Sequence, residues 1–259
     1  MVLTVHFIFS MTKNKPMHLY KLLLSIFFSI VTFNCYARAN ESHPLALMYN
    51  GPGVCEGCAE SLAVLVSKAG YHVRYVRPDD LTEENFNQAA LFVHPGGSDR
   101  MEDTLEAMSP KSIQRIRKFV FNGGRYLGVC AGGYLAGTWT DDSHQTNSFG
   151  LIPGNVSEED ENSDPQLKSV VWKNRLVHVY YQAGPYFNID KIPDADVWAY
   201  YKKSHHVAAF MASFGKGHIG LIGPHPEADQ EWLDDDDLKS PDGVHLGLGI
   251  QFIRALQNR

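Results

Sequence analysis

Residues 126–133 read Tyr-Leu-Gly-Val-Cys-Ala-Gly-Gly, with a glycine two positions before Cys130 and another two positions after it. An apolar strand entering a helix through a G-x-C-x-G step is the thiol counterpart of the G-x-S-x-G turn that presents a nucleophile at a sheet end. A thiol placed there stands at a helix N-terminus, where unpaired N–H groups and the dipole favour its thiolate. The chemistry predicted is acyl transfer, in which sulfur attacks a carbonyl and an imidazole moves the proton. Residues 218–223, His-Ile-Gly-Leu-Ile-Gly, read as a buried strand, and Pro224-His225-Pro226-Glu227 follow it. His225 is therefore expected at the sheet edge where Cys130 opens, with Glu227 holding the imidazole in one tautomer. Gly96 or Gly97, at the break after another strand, and Ala131, next to the thiol, are expected to donate the N–H groups of an oxyanion hole.

Other residues invite weaker readings. Cys55-Glu56-Gly57-Cys58 stands at a helix start, and its spacing suits a local disulfide or a redox-active pair. Tyr134 and Tyr186, with Trp139 and His144, are candidates for the mouth of the pocket, although aromatics near turns also pack the rim of a core. His205 and His206 are adjacent, so on a strand they would face opposite ways. With His178 and His218 they make no ligand spacing, and no metal or cofactor is predicted. The acids Asp234 to Asp237 read as a solvated loop.

These side chains need a scaffold. Residues 45–50, 71–76, 89–97 and 125–129 are short apolar runs broken by turn residues, which predicts buried strands. Helices are expected over 58–70, with Gly70 as the stop, and after Ser109-Pro110, a cap followed by proline at the first helical position. The alternation predicts an α/β chain with a mainly parallel central sheet between helical layers. In the second half, 169–172 and 175–181 flank Lys173-Asn174 as a hairpin, and strands follow at 197–201, 205–214 and 218–223. These are expected as added antiparallel strands, before a last helix from about Val244 to Leu256.

The chain has 259 residues, 44% of them hydrophobic and 20% charged, a profile that excludes disordered, collagenous and coiled-coil chains. Its net charge of −6 offers no broad basic patch to nucleic acid. Lys13, Lys15 and Lys21 precede an uncharged apolar run at 22–33, and small residues follow at Ala37 and Ala39. That order predicts a signal peptide over 1–39 and one domain over 40–259. The run is short of the roughly 20 apolar residues a spanning helix needs, so no transmembrane span is expected in the mature protein. Export to a periplasm or the exterior would place Cys55, Cys58 and Cys130 in an oxidising compartment. Lipid anchoring through Cys35 is a minor alternative. Oligomeric state is left open.

Three segments together carry a family resemblance: Phe92-Val93-His94-Pro95-Gly96-Gly97, the stretch 123–137 around Cys130, and Gly215 to Glu227. They resemble the class I glutamine amidotransferase-like superfamily. With the tyrosine- and glycine-rich stretch 179–187, the chain is most similar to the group named after the N-terminal domain of biotin-protein ligases, not the ligase's catalytic domain. The resemblance implies a flavodoxin-like three-layer sandwich. It also implies Cys130 as nucleophile, His225 as base and Glu227 as its orienter, with Gly96, Gly97 and Ala131 holding the oxyanion. Relatives acting on small aldehydes or repairing proteins place an acid beside the nucleophile from the region of Glu56, which makes Glu56 a second partner for the thiol. The leading expectation is an exported cysteine-dependent hydrolase, cleaving an amide or related acyl bond of a small molecule or peptide through a thioester. Two alternatives stand beside it: a small-aldehyde or protein-repair enzyme of the same fold, and a non-catalytic binding module of the envelope.

Overall fold

Ala46, Leu47, Met48 and Tyr49 are all closed to solvent, yet they belong to two different cores. Successive residues of a strand point to opposite faces of a sheet, so β1 (Leu45–Tyr49) sends Ala46 and Met48 one way and Leu47 and Tyr49 the other. A strand covered on both faces reads as an unbroken apolar run, which is how this segment appears in the sequence.

The computed structural model describes residues 43–97, 102–140, 145–154 and 156–259, with backbone alone for 138–140 and 145–147. The segment read as a signal peptide, Cys35 and His144 lie outside the described residues, as does the side chain of Trp139. After β1 come α1 (Cys58–Ala69), β2 (His72–Val76), α2 (Glu83–Gln88), β3 (Ala89–His94), α3 (Glu102–Ala107), α4 (Pro110–Phe121), β4 (Arg125–Val129) and α5 (Ala131–Ala136). Two short ladders follow, one pairing β5 (Thr138–Thr140) with β6 (Gln145–Asn147), the other β7 (Ser157–Glu158) with β10 (Pro185–Tyr186). Between and after them lie β8 (Gln166–Trp172), β9 (Arg175–Tyr181), β11 (Asp196–Tyr201), β12 (Val207–Phe214) and β13 (Gly217–Ile222). The chain closes with α6 (Gln230–Asp235) and α7 (Leu246–Gln257).

The main sheet has nine strands in the order β2-β1-β3-β4-β13-β12-β11-β8-β9. The first five are mutually parallel and the rest are added antiparallel. Helices α1 and α7 cover one face, with Leu62, Leu65, Phe252 and Ile253 against Met48, Val93 and Val129. On the other face α4 lays Ile116 and Val120 on Phe92 and Tyr126. This is the α/β sandwich expected from the sequence, with the antiparallel strands in the second half. The Lys173-Asn174 hairpin also forms, both residues at positive φ as a two-residue turn requires.

The differences are local. Helices α2, α3 and α6 have six residues each, less than two turns, too short for a readable apolar period. Asp234 and Asp235 therefore end a helix, and the acidic run is only partly loop. The strand expected from 205 begins at Val207, because His205 sits in a turn at φ 63. Ser109 caps α4 as expected, its hydroxyl accepting the N–H of Ser112 at 3.1 Å. Ser109→Ala should lower unfolding stability by about 1 kcal/mol in a urea titration. No helix among the described residues is long and apolar enough to cross a membrane.

Candidate functional site

Cys130 is the only residue between β4 and α5, at φ 49 and ψ −107. That is a costly conformation for a side-chain-bearing residue, held here by its neighbours. Its N–H donates to the Ile222 carbonyl at 2.9 Å, tying the turn to β13. Its carbonyl accepts from Gly133 and Tyr134 and starts the helix. The flanking glycines make the turn geometrically possible. A Cβ on Gly128 would lie 2.3 Å from the Gly132 carbonyl oxygen, and one on Gly132 would lie 2.2 Å from the His94 carbonyl oxygen.

His225 arrives from the neighbouring strand end. It follows β13 and pairs back to β9, its N–H donating to the Tyr180 carbonyl at 2.8 Å. Its Nδ1 donates to Glu227 Oε1 at 2.8 Å, and both side chains are buried. Burial alone would lower the imidazole pKa. The sulfur of Cys130 and the carboxylate of Glu227 outweigh it and push the pKa up to about 10. His225 is thus an imidazolium at neutral pH. The ring packs between Tyr180 and Trp232, with centroids 5.7 and 5.4 Å away.

Cys55 and Cys58 form a disulfide, the pairing their spacing suggested. It lies against the same backbone as the imidazole. A Cβ on Gly96 would meet His225 Cε1 at 2.9 Å, Cys58 Sγ at 3.1 Å and Cys55 Sγ at 3.2 Å. Gly97 abuts Ala131, where an added Cβ would lie 2.5 Å from the alanine methyl. Together these elements wall a cavity of about 820 Å³ outside the carboxyl ends of the parallel strands, where open α/β sheets commonly bind ligands.

The structure brings Cys130, His225, Gly97, Ala131, Glu56, Tyr134, Cys55 and Cys58 to this cavity. Glu227 stands behind His225 and does not line it. Gly96 lies just under the disulfide. Tyr134 donates its hydroxyl to the Ala183 carbonyl at 2.9 Å. Tyr186 is outside the cavity and stacks on His206 at 4.0 Å. Sequence reasoning missed Glu102, Glu158, Tyr180, Gln182, Trp232, Asp235 and Asp236 as cavity residues. Only Tyr180 and Gln182 left a trace, in the tyrosine- and glycine-rich stretch. Among the described residues, no group of three or more His, Cys, Asp or Glu is arranged to hold a metal ion.

Residues 45–147 match the family described as biotin-protein ligase, N terminal. Over those residues, under half of its length, the chain is similar to that family. The chain is 26% identical over 214 residues to a biotin-protein ligase of Schizosaccharomyces pombe, covering 71% of this chain and 33% of that protein. It thus spans about a third of the length of that curated relative. Two solved structures share the fold. PurLQS from Thermotoga maritima is 16% identical with a TM-score of 0.55, over 84% of this chain and 100% of that one. A glutamine amidotransferase is 16% identical with a TM-score of 0.51, over 74% and 100%. The matched ligase N-terminal segment includes Cys130 and the disulfide but stops before His225 and Glu227.

The hydrolase expectation is corrected by this geometry. It required an open cysteine nucleophile. Two of the three described cysteines are joined in a disulfide on the cavity wall. Cys130 is outside the disulfide, but it is 7% exposed and its Sγ lies 3.7 Å from the Gln182 carbonyl oxygen. The turn at Cys130 is a strained strand-to-helix connection, and the reading of it as a hydrolase's nucleophile elbow is not upheld.

Proposed function

We propose that the chain is a non-catalytic binding module whose cavity takes a cationic group, from an amine-bearing small molecule or a basic peptide. One observation carries this reading. Glu56, Glu102, Glu158, Asp235 and Asp236 line the cavity; among the described residues no lysine or arginine does, and the cationic His225 on the wall is paired with Glu227. Carboxylates of one sign in a concave surface focus the field and raise the local concentration of cations. Tyr180 and Trp232 line the same wall, and aromatic rings attract ammonium and guanidinium groups. Tyr180 also donates its hydroxyl to Asp236 at 2.7 Å, fixing one of the acids. Export remains part of the proposal, supported by a disulfide of the kind that persists in oxidising compartments.

Titration calorimetry with spermidine, oligolysine and oligoglutamate tests it, with the fluorescence of Trp232 as a second readout. Spermidine or oligolysine should bind, oligoglutamate should not, and affinity should fall as salt rises. The double variant Glu158→Gln, Asp235→Asn should weaken binding about tenfold, or about 1.4 kcal/mol. Cys130→Ala should leave it unchanged. Preference for the anionic peptide would overturn the proposal. So would turnover of an amide library that disappears in Cys130→Ala.

A further inference from the structure

The structure points to the Cys55–Cys58 disulfide as a redox-active pair that exchanges with an external dithiol, with Cys55 the sulfur attacked and Cys58 the one that leaves. The inference goes beyond the binding proposal and does not depend on it. The two sulfurs differ in access. Cys55 is partly exposed beside the cavity, whereas Cys58 is 2% exposed beneath it. They differ in electrostatics too. Cys58 is the first residue of the 12-residue helix α1, whose N-cap, Gly57, has no side chain to occupy the N-terminal N–H groups. Negative charge developing on Cys58 Sγ is stabilised there by the helix dipole.

A positive charge stands near the leaving sulfur. Cys58 Sγ and His225 Cε1 both come within 3.1 Å of the point a Gly96 Cβ would occupy. The absence of a side chain at Gly96 is what lets the ring and the disulfide approach. A purely structural role explains the bond poorly. Its cysteines are three positions apart, and cross-linking so short a loop removes little entropy from the unfolded chain.

The exchange balances as follows. A thiolate of the dithiol attacks Cys55 Sγ, and the Cys55–Cys58 bond breaks with its electron pair on Cys58, whose thiolate is stabilised by the helix N-terminus and the nearby imidazolium and takes a proton from solvent. The second thiol of the reductant then attacks its own sulfur in the mixed disulfide and releases Cys55. The dithiol becomes a disulfide, the pair becomes two thiols, and two electrons have passed. An oxidised dithiol returns the pair by the reverse steps.

The full chain would be equilibrated in mixtures of reduced and oxidised dithiothreitol, quenched in acid, alkylated and mapped by peptide mass. Cys55 and Cys58 should interconvert reversibly while near-ultraviolet circular dichroism keeps the signature of the folded protein. In Cys58→Ser, glutathione disulfide should give a mixed disulfide at Cys55. In Cys55→Ser, the buried Cys58 should give none. His225→Gln should slow reduction about tenfold, because the positive charge near the leaving sulfur is lost. A disulfide that opens only when the dichroism is lost would overturn the inference, as would mixed disulfide accumulating at Cys130 in Cys58→Ser. Spermidine binding measured on the same oxidised sample keeps failure here distinct from failure of the binding proposal.

Discussion

Gly132→Ala should cost about 3 kcal/mol or more in stability, enough to leave little folded protein. Its Cβ would lie 2.2 Å from the His94 carbonyl oxygen, and Gly132 N–H already donates to the Pro95 carbonyl at 3.2 Å. The turn cannot move away from β3 without giving up that bond. The obstacle is backbone on both sides, so no side-chain rotation relieves it. Gly128→Ala should behave alike, meeting the Gly132 carbonyl oxygen at 2.3 Å, an atom already bonded to the Tyr126 hydroxyl at 2.7 Å. Gly247→Ala supplies the contrast. It lies in α7 with no atom within 4 Å of the added Cβ, and it should gain about 0.4–1 kcal/mol. Soluble yield and urea midpoints of the three variants check this. Wild-type stability in Gly132→Ala would mean that β3 and α5 can separate.

The second large effect is a pH dependence. The His225 pKa rises from 6.5 to about 10 in the folded protein, held up against burial by Cys130 and Glu227. A raised pKa means the folded state binds the proton more tightly than the unfolded chain does. The resulting stability is complete below pH 6.5 and is lost as pH climbs through about 10, an amount on the order of 4–5 kcal/mol. Glu227 is 1% exposed and its Oε2 has no hydrogen-bond partner among the described residues, so its charge is directed at His225. Glu227→Gln should lower stability near pH 6 by about 3 kcal/mol and flatten much of the loss between pH 6.5 and 10. Urea unfolding across that window, wild type against variant, isolates the pair from other groups that titrate there. Parallel curves would show that the imidazole is not held protonated by Glu227.

Some of the site was legible because its cause is local. Glycines around Cys130 are demanded by contacts within one turn and to the adjacent strand. The spacing of His225 and Glu227 lets an imidazole and a carboxylate meet two residues apart. The disulfide closes over three positions, and Ser109-Pro110 caps a helix from within its own first turn. The rest had no local cause. Trp232 and Tyr180 flank one imidazole although they lie on α6 and β9, brought together by a bridge between residues 180 and 225. Glu56, Glu102, Glu158 and Asp235 come from four separate stretches, and nothing in any one stretch marks it as cavity wall. Tyr186 sat in the right segment, but β10 turns its ring onto His206.

Sequence alone determined the alternating α/β order, the apolar strands buried on both faces, the glycine-framed thiol and the local disulfide. Each depends on periodicity or on neighbours a few residues apart, which a linear chain displays. Tertiary structure decided what the thiol could become. Only the assembled sheet sets Gln182 against the sulfur, surrounds His225 with opposite charge and keeps it protonated, and gathers distant carboxylates around one cavity. Burial and charge proximity depend on which strands become neighbours, and strand order is a property of the whole sheet.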